Sequence, residues 1–160
     1  MKLRSDDGTT TVEITPVGYE LAVPDRHDDD EWLRVRIGVE QVAGEFWTVT
    51  HPCLTVSELI ALTHWLRSPH TRSVEFVEPL VALRRAPDAD GVVEVAFSHE
   101  ALPPSLQVGE PRDWLGGVHV LQFRISQDVL TVAADALAAE AAEFPARQRS
   151  GSLRRPRLRA

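Results

Sequence analysis

HPCLTVSELIALTHWLRSPHTRSVEFVEP, residues 51–79, joins two blocks of strand-like sequence through a single helix. Pro52 is expected to end an incoming strand, because proline cannot donate to a ladder. Thr55-Val56-Ser57-Glu58 then has the capping-box form. The threonine oxygen takes the Glu58 amide while the glutamate reaches back to the Thr55 amide. Val56, Leu59, Leu62, Thr63 and Leu66 fall on one helical face, with Ile60 and Trp65 flanking it. Ser68-Pro69 stops the helix, since a residue before proline is pushed out of the helical region. Val74 and Phe76 then face one way in a new strand that ends at Glu78-Pro79.

Working outward toward the N-terminus, Trp47, Val49 and His51 alternate with Phe46, Thr48 and Thr50. Before them Leu33, Val35, Ile37 and Val39 alternate with Arg34, Arg36, Gly38 and Glu40, a half-buried strand. The short link at Gly44 makes these two an antiparallel hairpin. Earlier still, Val12 and Ile14 share a face in an edge-strand pattern that Pro16 and Gly18 are expected to break. Pro24 to Glu31 holds five acids in eight residues and reads as a solvated loop.

Toward the C-terminus, Leu80 to Leu83 starts a strand, Asp88 to Gly91 is a turn, and Val93, Val95 and Phe97 alternate in the next strand. Residues 101–116 hold three prolines and two glycines and are expected to form a long loop or pair of turns. His119, Leu121, Phe123 and Ile125 share one face of a final strand. Ser126 is placed to cap a second helix, Gln127 to about Glu143, with Val129, Leu130, Ala133, Ala136, Leu137 and Phe144 on its apolar face. Strands, helix, strands, helix is the order of an α+β fold: a mostly antiparallel sheet of about six to seven strands with two amphipathic helices packed on one face. Residues 1–146 are expected to form a single globular domain, and 147–160 a basic, disordered tail.

Charge narrows the function classes more than length does. Six of the 17 basic side chains follow Ala146 and none of the 24 acids does, so residues 1–146 carry a net charge of −13. Such a body repels nucleic acid and attracts basic partners. Only the arginine-rich tail offers weak contact with nucleic acid. One cysteine excludes an internal disulfide and a Cys-rich zinc site and fits a reducing, cytoplasmic compartment. MKLRSDDGTT lacks the apolar core of a signal peptide, and no run approaches the roughly 18 apolar residues of a membrane helix.

Each candidate for chemistry has a structural explanation beside it. Cys53 with His51 has the spacing of a thiolate and its base on one strand face, yet it lacks an orienting third group, and a packed thiol is the simpler reading. His27 with Asp28 and Asp30, or His64 with His70, offer donors without zinc-ligand spacing. Glu78 and Glu100 stand at strand ends as a carboxylate pair or as two exposed charges. His119 lies in phase with apolar neighbours and reads as a hydrogen-bonded core residue. No Gly-rich phosphate loop or nucleophile elbow is present, and no cofactor is implied.

Asp30-Glu31-Trp32-Leu33, Pro52-Cys53-Leu54 before a helix ending Trp65-Leu66, Phe76-Val77-Glu78-Pro79, Glu100, and Phe144-Pro145-Ala146-Arg147 occur in an order and spacing that resembles the WapI-like immunity proteins of bacterial polymorphic toxin systems. The apolar Leu80 after Pro79 and the arginine tail depart from that pattern. The resemblance implies a cytoplasmic protein that binds and neutralises a cognate toxin domain, often a nuclease. The expected binding residues are Asp28, Asp29, Asp30 and Glu31, with Glu78 and Glu100. Two other classes stay open: a small enzyme using Glu78, Glu100 or Cys53 between sheet and helices, and a regulatory partner that makes contact through its tail.

Overall fold

A computed structural model of the chain describes residues 1–21 and 31–146. The expected tail and the Asp28–Asp30 run lie outside these residues. The fold is α+β, but its strands form two four-stranded antiparallel sheets in place of the single sheet of six to seven strands. The first contains β1 (Lys2–Arg4), β2 (Thr10–Tyr19), β3 (Trp32–Gln41) and β4 (Phe46–Thr55) in that order. The second contains β5 (Ser73–Val74), β6 (Val81–Arg85), β7 (Val92–Ser98) and β8 (Val118–Arg124). Between them in sequence comes α1 (Val56–Arg67); α2 (Pro111–Trp114) is a single turn, and α3 (Gln127–Ala141) follows β8.

The two sheets separate where β4 passes directly into α1 with no loop between them. After the helix only two residues, Ser73 and Val74, resume strand pairing, and they pair with β6 alone. Leu33, Val35, Ile37 and Val39 of the first sheet and Val81, Leu83, Val93, Val95 and Phe97 of the second join the buried faces of α1 and α3 in one apolar cluster. The two helices lie side by side, α3 against β1 and β2 and α1 against β4 and β5.

Prolines that were expected to end strands sit inside them, and hydrogen-bond parity explains why. The Ile14 amide bonds the Met1 carbonyl at 3.0 Å, so the even residues of β2 turn their backbone groups toward β1. Pro16 lies past the end of β1, where a missing N–H costs no ladder bond. Val17 is an extra residue against β3, a β-bulge that leaves it 46 % exposed. In β4, Arg34 pairs with Pro52 and Leu33 with Leu54, so Cys53 is likewise extra. The odd residues of β4 bond β3, as the Gln41 amide to Glu45 carbonyl bond (2.8 Å) shows, and Pro52 therefore presents its missing donor to the free edge.

The helix boundaries follow their caps. Thr55 Oγ1 accepts the Glu58 amide at 3.2 Å and Glu58 Oε2 accepts the Thr55 amide at 2.8 Å, the expected box. Val56, Leu59, Leu62, Thr63, Trp65 and Leu66 are buried, while Ile60 is half exposed. At the other end the Arg85 guanidinium lies over the Trp65 ring, 4.9 Å from its centroid, and donates to the Ser68 carbonyl at 2.9 Å. Ser126 caps α3 by accepting the Val129 amide at 3.4 Å. On α3 the buried position is Ala134, and the expected Ala136 is exposed.

Candidate functional site

Of the expected binding residues, Asp28, Asp29 and Asp30 lie outside the described residues, as does His27. Glu31, half-buried, precedes β3, and its carbonyl accepts the Val56 amide at 3.1 Å. Glu78 is exposed in the bend between β5 and β6. Its neighbour Val77 donates its amide to Glu58 Oε1 at 2.7 Å. Glu31 and Glu78 are thus each held within one residue of a hydrogen bond to the first turn of α1. Glu58 ties the segment before Glu78 to the start of α1, a role its capping motif did not announce. Its carboxylate serves the Thr55 amide with one oxygen and the Val77 amide with the other.

Glu100 stands exposed on a 3-10 turn, His99–Ala101, that follows β7. Ser98 before it donates its hydroxyl to the Pro79 carbonyl, so Glu78 and Glu100 flank the same end of the β6–β7 ladder. The turn itself is fixed from the first sheet: Trp47 Nε1 donates to the Ala101 carbonyl at 3.1 Å, and the Trp47 ring meets Phe97 edge-on at 5.6 Å. His99 takes a left-handed φ of 55°, uncommon for a residue with a side chain. Glu78 and Glu100 thus stand at one end of the second sheet, and Glu31 beside the start of α1.

The cysteine and histidine candidates among the described residues take the following positions. The bulge at Cys53 breaks strand alternation, so Cys53 and Leu54 are both buried, while His51 two residues before is half-buried opposite Val35. Burial first, then the negative charges of Glu58 and Glu78, push the Cys53 thiol up to about 12, the opposite of an activated nucleophile. His51 Nδ1 lies 3.0 Å from the carbonyl of its own neighbour, Pro52. His64 and His70 are both exposed, and among the described residues no group of three or more His, Cys, Asp or Glu side chains is arranged for a metal. His119 packs edge-on to Trp47 at 5.7 Å, but its buried Nε2 has no hydrogen-bond partner, unlike the expected bonded core histidine.

Sequence reasoning missed two features. Glu94 is buried although it alternates with apolar residues, because Arg84 and Gln122, its cross-strand neighbours, both donate to it. A groove of about 750 Å³ opens beside β6 and the start of α3, with Arg72, Arg85 and Arg124 alongside Asp6, Asp88 and Asp90. Neither Cys53 nor Glu78 nor Glu100 borders it.

Comparison with known families matches residues 2–145 to the immunity protein WapI-like family. The chain belongs to that family. No curated protein and no solved structure shows significant similarity to it. The match to the WapI-like family covers both sheets and both long helices, including the Pro52–Leu54 bulge and the Phe76–Pro79 segment that Glu58 holds. No described helix of this WapI-like chain is long and apolar enough to cross a membrane.

Proposed function

We propose that this chain is a cytoplasmic immunity protein that binds a cognate toxin domain and blocks it by occupancy, without catalysis. The observation that carries the reading is the family match over residues 2–145. A net charge of −13 on residues 1–146 supports a basic target. Nucleases need basic clefts to hold phosphates, so a nuclease domain is the toxin class that this charge fits best. Asp28, Asp29, Asp30, Glu31, Glu78 and Glu100 are the proposed contact acids, residues 1–146 the unit that carries them, and the arginine tail an appendage.

Opposite fields on the two partners raise the association rate by about one to three orders of magnitude at low salt. The test uses the toxin domain encoded by the reading frame next to this one, expressed with and without the chain. Protection of the cell and a rapid, salt-sensitive association are expected. Replacing the six acids by their amides should slow association at low salt and flatten its salt dependence. A toxin domain left fully active by the wild-type chain overturns the immunity reading. Unchanged rates in the six-fold variant overturn the acidic surface alone.

A further inference from the structure

Three of the four outer strands carry features that discourage pairing with another chain. β1 is three residues long with Lys2 and Arg4 on its exposed side. β5 is two residues. β4 presents Pro52 and the Cys53 bulge to its open edge. β8 has none of these: Val118-His119-Val120-Leu121-Gln122-Phe123-Arg124 contains no proline, no bulge, no lysine and no acid.

Parity identifies which of its backbone groups are open. The Ile125 amide bonds the Gly91 carbonyl at 2.8 Å, which turns the backbone groups of the odd residues toward β7 and those of Val118, Val120, Gln122 and Arg124 outward. The Arg124 carbonyl accepts the Asp6 amide at 2.8 Å. Among the described residues nothing meets the outward groups of Val118, Val120 and Gln122. Val118 is 62 % and Val120 41 % exposed.

We propose that the open edge of β8 pairs antiparallel with the same edge of a second copy of this chain, about a two-fold axis at Val120. In this register Val120 lies opposite itself and Val118 opposite Gln122 of the second copy, so every open donor and acceptor of the three residues finds a partner. Centring the pair on Leu121 would instead require the Arg124 carbonyl that Asp6 already occupies. Past the paired stretch Arg124 falls opposite Gly116 of the second copy, around which the space is open. No acid of one strand meets an acid of the other, which makes β8 the suitable self-pairing edge in a body of net charge −13. The two bodies still repel each other, so this association strengthens with added salt, opposite in sign to capture of a basic toxin.

Light scattering from the full chain, at micromolar to millimolar protein and at low and high salt, reads the pairing directly. The mass should rise from 17.8 kDa toward twice that value with concentration, and further with salt. V120E and V120K, each charged at an already exposed position, should each stay monomeric, and an equal mixture of the two should associate again, because only a two-fold at residue 120 sets glutamate against lysine. Circular dichroism of each variant confirms folding. A wild-type chain that is monomeric throughout, a dimer that persists in V120E, or a mixture that stays monomeric overturns the proposal. So does a β8 edge that captures the toxin domain in a Val120-dependent way while the chain alone is monomeric.

Discussion

Replacing Glu58 by alanine removes three interactions at once: the bonds from the Thr55 amide (2.8 Å), the Thr55 hydroxyl (3.0 Å) and the Val77 amide (2.7 Å). Loss of a helix cap costs about 0.5–2 kcal/mol. A carboxylate in the first turn adds about 0.3–1 kcal/mol through the helix dipole. The Val77 amide sits on an exposed stretch where water replaces its partner, so its loss contributes at the low end of the range for bonds to charged groups. Together these give about 2–4 kcal/mol, and with a urea slope of about 2 kcal/mol per molar the midpoint should fall by about 1–2 M with the slope unchanged. E58Q keeps one acceptor oxygen and should lose less. Thr55 shares the network, so T55A/E58A should be less destabilised than the sum of the single variants by about 0.5 kcal/mol or more. Hydrogen exchange at Val77 should quicken in E58A beyond any global loss of stability. An E58A midpoint within about 0.3 M of the wild type would refute the idea that this carboxylate ties α1 to the second sheet.

Cys53, with its thiol pushed up to about 12 by burial, should resist thiol reagents at pH 8 in the folded chain and react at once in denaturant; equal rates in both states contradict its packing. Because its folded value lies above its unfolded value of 9.0, this group supports stability fully below pH 9, and that support fades as the pH climbs toward 12; C53A should flatten the alkaline arm of the denaturation profile. Asp7 is held at about 2, first by the Ser5 hydroxyl and then by the Thr9 amide and hydroxyl, so its contribution is present above about pH 4 and is lost as the pH falls through 2. A carboxyl titration of Asp7 by NMR that centres near the ordinary value of 3.8 would contradict its bonds from Ser5 and Thr9.

The local signals in the sequence were legible, and the long-range ones were not. Thr55, Glu58 and Ser126 announce their helices because capping involves residues three positions apart. The division into two sheets depends on whether the strand after α1 pairs back with β4 or only with β6, and alternation carries no such information. The bulges at Val17 and Cys53 are invisible for the same reason: an extra residue exists only relative to a partner strand. Reading Pro52 as a terminator failed because the rule against proline in strands concerns donors that face a neighbour, and this one faces none. Glu94 looked like an ordinary wet-face residue until its register with Arg84 and Gln122 was known. The short pieces that resemble the family fall at joints of the scaffold. Pro52-Cys53-Leu54 is the bulge, Phe76 to Pro79 is the segment held by Glu58, and Phe144-Pro145 packs under Tyr19, whose ring meets Phe144 edge-on at 5.7 Å and whose hydroxyl donates to the Pro145 carbonyl.

Since Thr55 ends β4 and Val56 begins α1, the junction holds no spare chain. One residue added there would not be absorbed as a wider loop but would turn the helix by about 100° about its axis, withdrawing Leu59, Leu62 and Leu66 from the interior. The turn at Gly44 and the one at Asp88–Gly91 have slack of their own and pass no such rotation on. Changes in length are therefore free to accumulate at the hairpin tips, while the passage from strand to helix behaves as a gear that converts length into angle.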